Sequence, residues 1–144
     1  MELRKQGHCV YHCKYHIVLV SKYRRKIFKP KGVHEYFKKL IQKVRDHYPE
    51  IEIEENNHDK DHVHLLVNIP PKMSVSDVVR IIKCNTARKM KEKFEYLQKA
   101  YSGDDGIWSD GYMVSTVGVH ESIIKKYIEK QGREDLGQTL FEIG

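Results

Sequence analysis

The sequence predicts an α+β fold in which one antiparallel sheet carries two helices on one face. Two observations support this prediction. Several segments alternate apolar and polar residues, which is typical of half-buried strands, and two long segments repeat apolar residues every three or four positions, which is typical of helices. All of them lie within 144 residues, a length that suits one compact domain. We therefore expect a single domain over residues 1–144.

The first two elements are bounded by proline and glycine. Alternating residues predict a strand over 8–20, and a basic connection containing Pro30 and Gly32 follows it. Apolar residues at helical spacing then predict a helix over 33–48, which Pro49 stops. These two elements open the domain.

The remaining elements complete a recognisable order. They are a strand within 50–59 that ends in an Asn-Asn turn, a strand over 62–69, a helix over about 75–98 capped by Ser74 or Ser76, a strand over 112–119 and a short helix ending at Gly132. The order is that of a ferredoxin-like (RRM-like) βαββαβ fold with an extra C-terminal helix. We expect the core to span about 8–118, the terminal helix about 120–131 and the tail 132–144.

Composition favours a protein that acts on a polyanion in a reducing compartment. The net charge is +6 and the pI about 9.1, a balance common among nucleic-acid-binding proteins. The three cysteines are an odd number, which argues against a secreted disulfide framework. No apolar run approaches the ~20 residues of a membrane span, and the N-terminus lacks the apolar core of a signal peptide. We expect a cytoplasmic protein with no membrane partner.

The segment DHVHLLVNIPP carries two histidines on one predicted strand. Residues two apart in a strand point to the same side, ~6.6 Å apart along the chain, so His62 and His64 can reach one metal ion. Imidazole pairs suit Zn, Mn, Fe or Ni better than Mg, although a third, oxygen ligand shifts this balance. Such a pair can also arise by chance among nine histidines. Asp59 and Asp61 can be ligands too, but beside a turn we expect them to be solvated.

A second cluster, HCVYHCKYH, resembles a zinc site only on paper. In a strand, Cys9 and Cys13 lie ~13 Å apart along the chain, too far to share an ion. We therefore interpret both as small apolar residues of a half-buried strand.

The terminal helix places Tyr127 and Gln131 four residues apart, on one face. The tyrosine borders a stripe of isoleucines, so it can simply be an amphipathic core residue with its hydroxyl at the surface. Lys125, Lys126 and Lys130 surround it with positive charge. That charge can attract a phosphate or ease ionisation of the phenol from its usual pKa of ~10, or it can belong to a solvated helix face.

Four segments in this order resemble a known family: YHIVLVSKYRRKIF, DHVHLLVNIPP, IWSDGYMVSTVG and YIEKQ. Together they are similar to the single-tyrosine transposases of the HUH class, which belong to the smallest bacterial and archaeal insertion sequences and act on single-stranded DNA. The resemblance runs from about Tyr15 to Gln131. One difference is the segment IIKCNTARKM, where the family often has a glycine and serines after the lysine. This difference bears on hairpin preference, not on the chemistry.

The resemblance implies a metal-dependent active site. His62 and His64 would be metal ligands, Gln131 would supply a third ligand through its amide oxygen, and the ion would be Mg or Mn. Tyr127 would be the nucleophile that forms a 5′-phosphotyrosine and frees a 3′-OH. The covalent bond would conserve the phosphodiester energy, so strand transfer would need no ATP.

The resemblance also implies partners. Single-stranded DNA with hairpin ends would be the substrate, and the protein would be a homodimer joined near the strand 111–117. The terminal helix can dock on the partner, so that the tyrosine of one subunit serves the histidines of the other. Gly118 would then be a hinge, although it can equally be a simple turn glycine.

Basic residues are candidates for contacts with DNA phosphates. One run follows the first strand, a second lies on the long helix, and two lysines flank the tyrosine. The candidates are Arg24, Arg25, Lys26, Arg88, Lys89, Lys126 and Lys130. Each can also be part of a charged, solvated surface.

Three other interpretations stay open. A sheet of this kind can be a non-catalytic hairpin DNA- or RNA-binding module, in which bases stack on exposed aromatic residues. A domesticated relative can nick and join dispersed repeat hairpins with the same chemistry. In a structural metal protein, removal of the metal would unfold the chain.

Overall fold

The computed structural model describes residues 3–116, 118 and 120–143. Two strands, β1 (Arg4–Gln6) and β2 (Cys9–Tyr11), form an N-terminal antiparallel hairpin. The main sheet contains β3 (Lys14–Val20), β4 (Glu52–His58), β5 (His62–Asn68) and β6 (Met113–Ser115). The helices are α1 (Val33–His47), α2 (Val75–Lys93), α3 (Glu95–Ala100) and α4 (Glu121–Ile143).

The main sheet has the predicted ferredoxin-like topology. Its strand order is β4-β5-β3-β6, and every neighbouring pair is antiparallel. The first and third strands of the βαββαβ unit are therefore central, while the short β6 lies at one edge. The α+β prediction is confirmed.

The two faces of the sheet are covered differently. One face packs against α1 and α2, where Ile17, Leu65, Phe37 and Ile82 are all completely buried. The opposite face carries a smaller apolar cluster in which α4 packs on β3. The alternation of strand residues thus divides a large structural core from a second face that is only partly covered.

Several predicted boundaries are wrong. The strand over 8–20 is divided at residues 12–13 into β2 and β3, which belong to different sheets. The left-handed Gly7 (φ 55°) forms the turn through which β2 pairs with β1. The long helix ends at Lys93, since Phe94 has an extended backbone, and α3 follows as a separate helix. β4 continues through the two asparagines, and the turn that follows lies at 59–61.

The terminal helix was expected to end at Gly132, but α4 continues to Ile143. Gly132 is buried inside the helix, where the side chain of Arg24 crosses it at close range. Glycine here permits a close contact and does not end the helix. The Ser74 cap is confirmed, because its hydroxyl accepts a hydrogen bond from the Asp77 N–H. None of the described helices has the length and apolar character needed to cross a membrane.

We predict that replacing Thr86 with valine destabilises the fold. The Thr86 hydroxyl is completely buried, donates to the Ile82 carbonyl and accepts a 3.0 Å hydrogen bond from the Trp108 indole N–H. Valine keeps the shape but leaves the indole donor unpaired, which costs about 1–3 kcal/mol of unfolding free energy. Urea unfolding measures this cost. The exposed Thr116→Val control should stay within about 0.5 kcal/mol of the wild type, and an equal loss in both variants would contradict the prediction.

Candidate active site

The two histidines of β5 lie on the sheet face that α4 covers. His64 pairs with Val18 and His62 pairs with Val20 in the antiparallel register. Directly paired residues share a face, so both imidazoles project to the side of these valines and away from the main core. Ile128 of α4 packs against the same two valines. The strand and the terminal helix therefore meet within a single chain.

A carboxylate orients the first imidazole. The Nδ1 atom of His62 lies 2.9 Å from Asp61 Oδ1. A hydrogen bond from His62, together with a contact from Arg24, lowers the pKa of Asp61, so Asp61 is an ionised acceptor and Nδ1 carries the proton. The Nε2 atom of His62 is thereby left as the lone-pair nitrogen. The expectation that Asp61 is solvated is wrong, because its side chain is only 17% exposed.

A third histidine lies beside the second one. His16 Nδ1 is 3.1 Å from His64 Nε2, and the two ring centroids are 5.3 Å apart. Burial, and then the charge of His16, lower the pKa of His64, so the ring is neutral near pH 7. The sequence analysis assigned no role to His16, since its proximity to His64 depends on the register between β3 and β5. The alternating pattern of β3 was the only available signal.

Tyr127 projects from α4 into this face. It packs against the cluster of Val18, Val20 and Ile128, and its buried hydroxyl has no hydrogen-bond partner among the described residues. Burial, reinforced by the negative charges of Glu134 and Asp135, raises the pKa of Tyr127 to about 12. The idea that the surrounding lysines ease its ionisation is therefore wrong, because all three lysines are exposed to solvent.

Gly111 lets Tyr127 and Gln131 approach the same point. A Cβ atom at position 111 would lie 3.0 Å from Gln131 Oε1 and 3.2 Å from the Tyr127 hydroxyl oxygen. Gln131 is buried one helical turn after the tyrosine, as the spacing predicted. Lys83, which sequence reasoning did not assign, holds this loop by donating to the carbonyls of Ser109 (2.6 Å) and Gly111 (2.9 Å).

The donor set can suit a metal ion only if a residue other than a histidine or an acid completes it. Within the described residues, no three histidine, cysteine, aspartate or glutamate side chains converge on one point. His62 and His64 offer two nitrogens, and the Gln131 amide offers a neutral oxygen. This is the mixed set that the sequence resemblance implies.

Comparison with known proteins identifies the family. A family model described as an IS200-like transposase matches residues 9–131. The chain belongs to the IS200-like transposase family. The family recognition from sequence is confirmed, and this IS200-like transposase is accordingly a DNA transposase and an enzyme.

Individual relatives agree with this assignment. The chain is 36% identical over 138 residues to the transposase for insertion sequence element IS200 of Salmonella typhimurium, covering 93% of this chain and 87% of the relative. It is 30% identical over 134 residues to the ISDra2 transposase TnpA of Deinococcus radiodurans, covering 91% and 92%.

Two solved structures share the fold. A crystal structure described as a transposase from Deinococcus radiodurans has a TM-score of 0.77 at 28% identity, over 89% of this chain and 97% of that one. A REP-associated tyrosine transposase bound to a REP hairpin has a TM-score of 0.50 at 16% identity, over 85% and 68%. The second likeness concerns the fold alone.

The predicted DNA-binding residues of the IS200-like transposase occupy different environments. The Arg25 guanidinium lies over the rings of Tyr23 and Tyr101, 4.9 and 4.6 Å from their centroids, and donates to the Ala100 carbonyl. It is therefore committed to contacts within the protein. Of the remaining candidates, Arg24 and Lys89 have side chains that are 45% and 44% exposed. The others are exposed to solvent: Lys26, Arg88, Lys126 and Lys130. Their contact with DNA stays a prediction.

We predict an acid-sensitive stability that depends partly on His64. Because the pKa of His64 is lower in the folded chain than its ordinary value of 6.5, the unfolded chain binds more protons at pH values between the two. Stability is therefore present above about pH 6.5 and is lost as the pH falls through the folded pKa. Urea unfolding across this range, in the presence of a chelator, should show a smaller acid loss for His64→Gln. An unchanged loss would contradict the prediction.

Proposed function

We propose that this transposase cleaves and rejoins single-stranded DNA, with Tyr127 as the nucleophile and a divalent metal ion bound by His62, His64 and Gln131. The observation that carries the proposal is the buried Tyr127 hydroxyl, which has no hydrogen-bond partner among the described residues. It lies on the sheet face of the histidines and beside the Gln131 amide. Buried polar groups are normally hydrogen-bonded, so an unpartnered one points to a missing ligand. A DNA phosphate is a ligand that such a hydroxyl can attack.

The residues present fit a divalent cation. Asp61 accepts from Nδ1 of His62, which is the arrangement that holds a metal-binding imidazole in the correct tautomer. The lowered pKa of His64 keeps its ring neutral, as ligation requires. An amide oxygen moves the preference toward Mg or Mn, which when bound would act as a Lewis acid on the scissile phosphoryl group.

The proposed cleavage exchanges one phosphoester bond for another. The phenol oxygen of Tyr127 attacks phosphorus, a bond between this oxygen and phosphorus forms, and the bond to the 3′-oxygen of the preceding nucleotide breaks. The phenol proton leaves and the 3′-oxygen ends as a hydroxyl, so charge and atoms balance. Because the pKa of Tyr127 is raised to about 12, the phenol is protonated in the free protein near pH 7, and its proton has to be removed in the course of the reaction.

Rejoining is the reverse of cleavage on a second strand. A 3′-OH attacks the phosphotyrosine, the strands are joined and Tyr127 is released, with no ATP consumed. Burial of the tyrosine among Val18, Val20 and Ile128 limits access of water. This protects the covalent intermediate from hydrolysis.

The proposed substrate is single-stranded DNA with hairpin ends. The net charge of +6 favours a polyanion. Lys126 and Lys130 lie on the same helix as Tyr127 and are exposed, so they can bind phosphates that flank the cleaved bond. The REP-associated relative of the same fold is bound to a REP hairpin, which supports a hairpin as the recognised shape.

A homodimer is the second part of the proposal. β6 is an edge strand of the sheet, and Val114 within it is 41% exposed, so its free side can pair with a second copy. In the single chain, Tyr127 packs on its own sheet. Sharing of active sites between subunits would require α4 to undock about the exposed Gly118.

The primary test is a covalent protein–DNA complex. Single-stranded DNA with the flanking sequence of the gene is incubated with the protein and Mg or Mn and analysed on a denaturing gel. We expect an adduct that disappears in Tyr127→Phe, in His64→Ala and with EDTA. The exposed Tyr48→Phe variant should retain it. Hairpin binding without any adduct in the wild type would favour a non-catalytic binding module.

Gly111→Ala is expected to impair cleavage without weakening DNA binding. Gly111 has no left-handed φ, so alanine fits the backbone, but its Cβ would push on Gln131 and Tyr127. We expect adduct formation to slow by about 10- to 100-fold, as for other groups that position an active site. Rapid-quench kinetics and a separate hairpin affinity measurement check this. Equal cleavage rates in Gly111→Ala and in Gly137→Ala, whose Cβ meets open space, would refute it.

A further inference from the structure

A strained turn lies directly under the terminal helix. The 3-10 turn Lys22–Arg24 follows β3, and two of its non-glycine residues, Tyr23 (φ 60°) and Arg24 (φ 53°), have left-handed backbone conformations. Such conformations persist only where the surrounding structure enforces them, and they cluster at functional sites. Hydrogen bonds from the loops around Ile107 and Tyr101 hold the Lys22 end of this turn, and α4 contacts it at Tyr23 and Arg24.

Asp135 ties α4 to the turn. It is only 1% exposed, and its Oδ2 atom accepts from the Tyr23 N–H (2.9 Å) and from the Ser109 hydroxyl (2.6 Å). Asp135 lies one turn beyond Gln131 and two turns beyond Tyr127, on the same helical face. A buried carboxylate at this point fixes where the helix sits along its axis.

Arg24 connects the same helix to the histidines. Its aliphatic stem crosses α4 at Gly132, where a Cβ would lie 2.5 Å from Arg24 Cδ and 2.9 Å from Cγ. Its Nε atom lies 3.4 Å from Asp61 Oδ2, and Asp61 holds Nδ1 of His62. A continuous set of contacts thus runs from the backbone of α4 to the imidazole of His62.

We propose that Arg24 and Asp135 are positioning residues that set the register between the Tyr127 helix and the histidine pair. The inference rests on the proposed function, since it concerns the alignment of its nucleophile with its metal ligands. A shift of one residue would turn a helix face by about 100°. A partly exposed helix therefore needs specific contacts, such as those of Arg24 and Asp135, to fix which face meets the sheet. The proposed role of Arg24 differs from the DNA contact that the sequence analysis predicts, and the variants below distinguish the two.

The sharpest variant adds one methyl group. Gly132→Ala removes no charge and raises helix propensity, but its Cβ displaces the Arg24 stem. We expect adduct formation to slow by about 10- to 100-fold, with hairpin affinity unchanged. The matched control is Gly137→Ala on the same helix, where nothing lies within 4 Å of the added Cβ.

A double variant tests the mechanism of the loss. Arg24→Ala should slow cleavage by a similar factor, and Gly132→Ala should then add little, because the atoms it displaces are gone. Arg24→Lys keeps the charge but lacks the Nε donor, so it should resemble Arg24→Ala in cleavage rate. If Arg24→Ala weakens hairpin affinity and Arg24→Lys restores it, Arg24 is a DNA contact and the proposal fails.

Two measurements that do not depend on activity test the roles of Arg24 and Asp135 in the metal-free protein. ¹⁵N imidazole NMR should show that His62 loses its single Nδ1–H tautomer in Arg24→Ala. Hydrogen exchange should show faster opening of α4 in Asp135→Ala and a partial return in Asp135→Asn, which keeps an oxygen acceptor. Unchanged signals in these variants would overturn the proposal.

The outcomes separate this inference from the proposed function. If the wild type forms no adduct, the proposed function fails. If the wild type forms an adduct that needs Tyr127, but Gly132→Ala, Arg24→Ala and Asp135→Ala cleave at the wild-type rate, only the positioning role is refuted.

Discussion

The docking of α4 on the sheet face opposite α1 and α2 is the interaction on which the rest of the site depends. Ile128 inserts against Val18 and Val20, and burial of one isoleucine side chain is worth about 1.5–3 kcal/mol. That contact stabilises the docked helix but does not fix its position, because apolar surfaces can slide past each other. The buried Asp135, two turns from Tyr127, fixes the position by accepting hydrogen bonds from Tyr23 and Ser109. We therefore infer that Asp135, two turns along the helix, helps to position Tyr127 together with the valines that the tyrosine contacts.

The sheet makes this arrangement possible because successive residues of a strand point to opposite faces, so one strand can fill the core and present the histidines. In β5, Val63 and Leu65 are completely buried under α1 and α2, while His62 and His64, which alternate with them, project to the other side. A rigid strand holds both imidazoles at a fixed spacing, which side chains on a loop would not keep. Because of this alternation, one strand can contribute to the apolar core on one face and carry two histidines on the other.

The fold and the relative placement of the proposed site residues were predictable because they depend on local spacing. Alternation placed His62 and His64 on one face, helical spacing placed Gln131 beside Tyr127, and the element order indicated the topology. What failed depended on distant contacts. Gly132 looks like a helix end in sequence and is instead a crossing point for Arg24. The proximity of His16 to His64 depends on the register between β3 and β5, which the alternating pattern of β3 alone does not determine.

Electrostatics explains the remaining difference between expectation and structure. Lysines near a tyrosine in sequence suggest a lowered phenol pKa, yet these lysines point to water, where solvent screens them. The groups that act on Tyr127 are the apolar residues that bury it and the acids Glu134 and Asp135, and both raise its pKa. A protonated phenol is a weak nucleophile, so Tyr127 is unreactive in the free protein. Under the proposed function, a bound divalent metal ion would supply the positive potential that the described residues around Tyr127 do not, so the phenol would react only in the metal-loaded site.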